Sequence, residues 1–175
     1  KPISLSQIAQ KYKIKIVNTP NVNLDGYLSK LEKLKPDIII SSCSQIFHDR
    51  LLKLPKIACI NRHSALLPSY KGVYPVFRAM ISGEKQIGAT VHYMIKDIDS
   101  GNIIYQIPFS VKKGDSLFNL YSKAYKESVK ATLEAIQVIK HHKKPRIIKG
   151  LSSSYYSFPK DPDWEIFWKK GLKFI

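Results

Sequence analysis

Two short, uninterrupted apolar runs constrain the fold most: Asp37-Ile38-Ile39-Ile40-Ser41-Ser42 and Ile57-Ala58-Cys59-Ile60. Apolar runs of this length, without alternation, suit strands covered on both faces, the usual state in a parallel sheet. Helical patterns surround them. Ser4-Leu5-Ser6-Gln7 is a capping-box pattern that opens a helix to about Lys13. Leu24, Leu28, Leu31 and Leu34 recur at helical spacing with lysines between them, and Pro36 ends that helix. Ile14-Lys15-Ile16-Val17 alternates and predicts a short strand between the two helices. A third, short helix is expected from His48 to Leu54. Strands alternating with helices predict an α/β domain with right-handed crossovers and Ile38–Ile40 as a central strand. At 175 residues the chain makes one domain with a substantial core.

The second half changes character. Tyr74-Pro75 opens a helix, with proline where a missing N–H does no harm, and Gly83 ends it. Ile87 to Ile95 predicts a strand with Thr90, His92 and Met94 on one face and Val91, Tyr93 and Ile95 on the other. The Asp97–Gly101 loop leads into a second strand, Asn102 to Val111. An antiparallel pair here makes the sheet mixed. Asp115-Ser116 caps a long helix to about His141, with Leu117, Leu120, Tyr121, Ala124, Leu133, Ile136 and Val138 as its buried side. Pro145 and Ser152–Ser154 mark a less regular tail. Asp161-Pro162 opens a last helix carrying Trp164, Phe167 and Trp168, which Gly171 ends. The aromatic tail from Tyr155 onward is expected to fold back on the domain. Its other reading is a partner surface, since aromatics anchor interfaces.

Charge and cysteine content narrow the function classes. The formal charge is +16, with 29 Lys and Arg against 13 Asp and Glu. A basic nucleic-acid-binding module is one reading. The lysines are spread along the chain, which favours solvated helix faces, and either way the surface attracts anionic partners. Cys43 and Cys59 lie in or near apolar runs and are expected reduced and buried, as in the cytoplasm. No apolar run approaches the roughly 20 residues that span a bilayer, and no signal-peptide pattern is visible. Asp97 and Asp99 do not make a calcium loop, because Gly101 comes too early and no Glu lies at the required distance. No Cys or His pair has zinc spacing, so no metal is expected. There is no glycine-rich phosphate loop either.

The chemistry concentrates between Asn61 and Asp99. Asn61 and His63 follow the second apolar run, which is expected to stop at Asn61 and give way to a loop closed by Pro68 and Gly72. In extended backbone, residues two apart project to one side, so an amide and an imidazole can face one point. An Asn, a His and an Asp suit transfer through a tetrahedral intermediate, with an oxyanion donor, a proton carrier and a group that orients the imidazole. His63 alone reads as an ordinary loop histidine, and His92 as a core or supporting one.

Asn61-x-His63-x-x-Leu66-Leu67-Pro68-x-Tyr70-x-Gly72, then Gly88-x-Thr90-x-His92, then Asp99-x-Gly101-x-Ile103 resembles the catalytic core of the folate-dependent formyltransferases. That family comprises methionyl-tRNA, glycinamide ribonucleotide and sugar-nucleotide formyltransferases. The resemblance implies a Rossmann-like formyltransferase fold, a mostly parallel mixed sheet flanked by helices. It implies a catalytic domain over residues 1–145, with 146–175 as a carboxy-terminal tail. Nothing at the start of the chain matches the family's opening strand, loop and helix, so this amino-terminal unit is expected to be missing. The implied activity is transfer of a formyl group from 10-formyltetrahydrofolate to a primary amine, without metal. Asn61, His63 and Asp99 fall on the family's catalytic positions, with Asn61 and protonated His63 facing the oxyanion and Asp99 charging His63. Gln45, Ile46 and Phe47, with Tyr93, Ile95, Asp97 and Asp99, are implied to hold the pterin, largely through backbone groups. Ser44 stands near where the family's loop carries a glycine. The acceptor stays open between a sugar nucleotide, a methionyl-tRNA and a small amine, and the basic charge favours an anionic one. The reading from another class is a non-catalytic folate-binding fragment, beside the basic nucleic-acid-binding module.

Overall fold

The computed structural model describes residues 3–175. Ser4 caps α1 (Leu5–Lys11) through the expected box, with its hydroxyl accepting from the Gln7 N–H and Gln7 reaching back. The expected strand at 14–17 does not form. Ile14 and Ile16 are exposed, and no described strand offers them a hydrogen-bonding ladder, without which alternation cannot make a strand. α2 (Asp25–Leu34) follows and buries only Leu28 of its leucine stripe, leaving Leu24 and Leu34 exposed.

One sheet organises the rest. Its strands are β1 (Ile38–Ser41), β2 (Ala58–His63), β4 (Gln86–Tyr93) and β5 (Ile103–Ser110), side by side in that order. The sheet is mixed, as expected, with the balance toward antiparallel pairs. β1 and β2 are parallel, whereas β2–β4 and β4–β5 are antiparallel. Among the described residues β1 is an edge strand rather than a central one, and Ile40 is half exposed. β2 runs two residues past the expected stop at Asn61, so Asn61 and His63 sit on a strand. The short helix α3 (Asp49–Leu52) lies between β1 and β2. The two-residue strand β3 (Lys71–Gly72) and α4 (Pro75–Ser82) lie between β2 and β4. Gly83 ends α4 at φ 78, the left-handed conformation that favours glycine.

α5 (Leu117–Lys140) crosses one face of the sheet, its first turn capped by the Ser116 hydroxyl accepting from Asn119. It buries Leu117, Leu120, Ala124, Ser128, Ala131, Ala135 and Val138. Leu133, expected inside, is exposed. It lies two residues from Ala131, roughly 200° around the helix. Small alanines let α5 approach Ile60, Val91 and Ile104 closely. The opposite face carries Leu28, Phe47, Leu51 and Cys59. The tail lies against the rest of the chain. Its short strand β6 (Tyr155–Tyr156) pairs with β3, and α6 (Asp161–Lys169) inserts Phe167 beside Phe77, stacked at 5.4 Å. Cys59 is buried and its thiol is pushed up to about 11 by that burial. Cys43, expected buried, is exposed because β1 ends two residues before it. Among the described residues no helix is long and apolar enough to cross a membrane.

Candidate active site

The sheet puts three polar side chains at one point. β2 and β4 pair Asn61 with His92 and His63 with Thr90, so all four residues share a face. Asp99 enters from the loop after β4, on backbone at φ 49. An aspartate tolerates that left-handed geometry better than most residues. Gly101 lets the loop turn so tightly, because a Cβ there would lie 1.8 Å from the Tyr93 carbonyl oxygen.

Asp99 is the hub. Oδ2 accepts from the Gly72 N–H at 2.8 Å and lies 3.5 Å from His63 Nδ1. Oδ1 lies 3.4 Å from both His92 Nε2 and Asn61 Nδ2. Burial works to raise the Asp99 pKa. The hydrogen bond with His92, the charge His63 carries once protonated and the Gly72 N–H outweigh it and bring the value down to about 2, so the group is ionised at neutral pH. His63 Nε2 donates to the Tyr70 carbonyl at 2.8 Å, which leaves Nδ1 toward the carboxylate. Burial pushes His63 below its ordinary value, against the pull of Asp99 and the Tyr70 carbonyl. The resting ring is therefore a neutral base beside a carboxylate that stabilises it once protonated.

His92 is held similarly, with Nδ1 donating to the Tyr93 carbonyl at 2.8 Å. Its Nε2 lies 3.3 Å from Asn61 Nδ2. Both Asn61 contacts are long for hydrogen bonds. One N–H directed at Asp99 Oδ1 leaves the second free for a ligand. Thr90, fully buried, fixes the following turn. Its hydroxyl donates to the Ala65 carbonyl at 2.6 Å and accepts from the Leu67 N–H at 3.0 Å.

These groups open into a cavity of about 880 Å³. Of the residues expected to hold the pterin, Gln45, Ile46, Phe47, Ile95, Asp97 and Asp99 line it. Ile46, Ile95 and Ile98 expose apolar side chains there, at 60, 48 and 44%, which offers a flat ring apolar walls. Gln45 spends its side chain elsewhere, accepting from the Val22 N–H and donating to the Pro20 carbonyl. What it has left for a ligand is backbone. Phe47 is mostly buried in the core cluster with Leu28 and Leu51. Tyr93 does not line the cavity. It follows His92 on the strand, so its side chain turns to the opposite face and packs under α5 with Ile60 and Val91.

Sequence reasoning missed the cavity's other wall: Tyr74, Tyr121, Tyr125, Tyr155, Phe158 and Arg62. The Arg62 guanidinium lies 4.4 Å from the Tyr125 ring centroid and donates to Ser128 Oγ. The only signal was the aromatic run of the tail, which taken alone reads as packing. Among the described residues no cluster of three or more His, Cys, Asp or Glu could hold a metal ion.

Comparison with known proteins agrees with this geometry. The sequence model described as "Formyl transferase" matches residues 6–136. Methionyl-tRNA formyltransferase of Halothermothrix orenii is 35% identical over 124 residues, covering 70% of this chain and 39% of that protein. The enzyme of the same name from Desulforamulus reducens is 30% identical over 157 residues, covering 89% of this chain and 50% of that protein. The chain thus spans half the length, or less, of these curated relatives. Among solved structures, an N-formyltransferase from Helicobacter canadensis in complex with folinic acid and dTDP-3-aminofucose superposes with a TM-score of 0.59. It is 27% identical, and the match covers 88% of this chain and 54% of that one. With more than half of the chain matched, the chain belongs to the formyl transferase family.

Proposed function

We propose that the cavity takes 10-formyltetrahydrofolate as donor and passes its formyl group to a primary amine, with Asn61, His63 and Asp99 as the reacting constellation. The observation that carries this reading is a buried carboxylate and a neutral imidazole converging with an amide donor on one cavity wall. The apolar walls from Ile46, Ile95 and Ile98, beside the backbone of 44–47 and Asp97, suit the pterin. Family membership and a relative solved with folinic acid support that assignment.

The amine nitrogen attacks the formyl carbon. A C–N bond forms, and the carbonyl electron pair moves to oxygen. Asn61 donates its free N–H to that oxyanion. His63 Nδ1 takes the proton that the attacking nitrogen must lose, directly or through one water. The resulting imidazolium lies between the Tyr70 carbonyl and the Asp99 carboxylate, next to the oxyanion. As the intermediate collapses, the bond from carbon to N10 breaks and N10 takes a proton back from His63. A preorganised donor of this kind contributes on the order of 10²–10³ in rate.

The acceptor reaches the site past the aromatic wall. Rings from Tyr74, Tyr125, Tyr155 and Phe158 with the Arg62 guanidinium favour an acceptor that is planar and anionic over a small aliphatic amine. A sugar nucleotide or the aminoacyl end of a charged tRNA meets both requirements, and the overall charge of +16 draws either one in. The test is transfer from 10-formyltetrahydrofolate to dTDP- or UDP-amino sugars and to methionyl-tRNA, with the formylated product read by mass spectrometry. Transfer that disappears in His63→Gln supports the reading. Folate binding with no transfer to any acceptor would support a non-catalytic folate-binding chain instead.

A further inference from the structure

We propose that tail residues 152–157, clasped by Arg78, form a positioning element of the active site. They hold the 68–73 turn so that its Tyr70 carbonyl and Gly72 N–H set the His63 ring and the Asp99 carboxylate. The inference rests on the reading of His63 and Asp99 as the reacting pair.

The turn has little structure of its own. Tyr70 sits at φ 60 and Gly72 at φ 90, and a left-handed tyrosine persists only where its surroundings hold it. The tail supplies that hold. Tyr70 N–H donates to Ser154 Oγ at 2.8 Å, and Ser69 Oγ donates to the Ser152 carbonyl at 2.7 Å. In the backbone, the Lys71 and Val73 N–H groups donate to the Ser154 and Tyr156 carbonyls at 2.9 and 3.0 Å. The Ser154 N–H donates back to the Pro68 carbonyl at 3.1 Å. The approach is so close that a Cβ on Gly72 would lie 2.1 Å from the Tyr156 carbonyl oxygen.

The tail is fixed in turn from the core. Arg78, 6% exposed on α4, pairs with Asp163 at 2.5 Å and donates to the Ser157 carbonyl at 3.3 Å. Its guanidinium lies 4.9 Å from the Tyr156 ring, which stacks on Tyr70 at 5.8 Å. Its buried Nε has no partner among the described residues. Such a group is retained at a cost, which fits a side chain placed to hold a segment rather than to fill a core. The line of contact thus runs Asp163, Arg78, Tyr156, Tyr70, His63, and a parallel one runs from Tyr156 through Gly72 to Asp99. None of the tail groups on these lines touches the reacting atoms.

The test is ¹⁵N NMR of the histidine rings in the full chain, with His63 assigned from the His63→Gln spectrum. Ser154→Ala removes the acceptor of the Tyr70 N–H, Tyr156→Ala removes the stack, and Tyr156→Phe keeps it. Ser154→Ala and Tyr156→Ala should shift the His63 ring resonances, and Tyr156→Phe should match the native chain. In a transfer assay the first two should lower kcat about five- to tenfold, the scale of one lost neutral hydrogen bond. Their affinity for 5-formyltetrahydrofolate should stay within about twofold of native, since no pterin contact changes. Should Tyr156→Ala fail to fold, Ser154→Ala alone decides. Unchanged His63 resonances in folded Ser154→Ala would overturn the proposal, whatever the activity. Shifted resonances in a chain that transfers no formyl group would leave the positioning role standing and sink the formyltransferase reading.

Discussion

Replacing Asp99 with asparagine removes one charge and one acceptor, the Oδ1 that faces Asn61 and His92. Asparagine tolerates the φ of 49 at this position, and its amide oxygen can still accept from the Gly72 N–H. What is lost is the preference of the folded state for a carboxylate. The environment of Asp99 brings its pKa from an ordinary 3.8 down to about 2. At about 1.4 kcal/mol per pKa unit, this contributes about 2 kcal/mol to the folding free energy at neutral pH. The sign follows from the folded value lying below the unfolded one. The contribution is complete above the unfolded value of 3.8 and disappears as pH falls toward about 2. Urea unfolding of native and Asp99→Asn chains at pH about 7, 5 and 2.5 measures it. The native chain should be more stable by about 2 kcal/mol at the two higher values, and the gap should largely close at the lowest. A gap that stays the same at every pH, or one below about 0.5 kcal/mol at neutral pH, would refute the assignment of Asp99 as a buried, stabilised carboxylate.

Other outcomes follow from the same geometry. Asn61→Ala should lower kcat by about 10²–10³ while folate-analogue affinity stays within a few fold, read by steady-state kinetics and calorimetry. The rate in the native chain should rise with pH through an apparent pKa below the ordinary histidine value, because the neutral His63 ring accepts the amine proton. That acid limb should be absent from the residual rate of His63→Gln. Gly101→Ala should displace the Asp99 loop, since its Cβ would meet the Tyr93 carbonyl oxygen at 1.8 Å, and transfer should fall with the sheet intact by circular dichroism. Phe167→Ala should cost about 3–5 kcal/mol in urea unfolding, because that ring is fully buried against Phe77.

The parts of the fold legible in the sequence were those set by local chemistry. Ser4 with Gln7, Ser116, Pro75 and Gly83 each act through neighbours a few residues away, so their helix ends could be read directly. The Asn61, His63 and Asp99 cluster was legible because strand alternation places the first two and a recognisable motif supplies the third. What could not be read depends on partners distant in sequence. Ile14-Lys15-Ile16-Val17 has the right alternation, yet pairing needs a neighbour that alternation does not name. The resemblance places Tyr93 and Ile95 together at the pterin, but β4 ends at Tyr93, so Ile95 turns into the cavity while Tyr93 stays under α5. Leu133 looks like core by type and lies on the outer side of α5, because alanines and Ser128 make the close contact. The hold of the tail on the 68–73 turn joins backbone pairing to the Ser69 and Ser154 hydroxyls and the Tyr156 ring over some eighty residues of separation, and no local pattern names those partners.

The most direct test of the central claim is a calorimetric titration of 5-formyltetrahydrofolate into the native chain and into Ile95→Asp. Ile95 lines the cavity, half exposed, and its carboxylate replacement puts a charge against the proposed pterin wall without touching the triad. The account predicts saturable one-to-one binding to the native chain and at least about tenfold weaker binding to the variant. No binding by the folded native chain, or equal binding by both, would contradict the placement of the folate in this cavity.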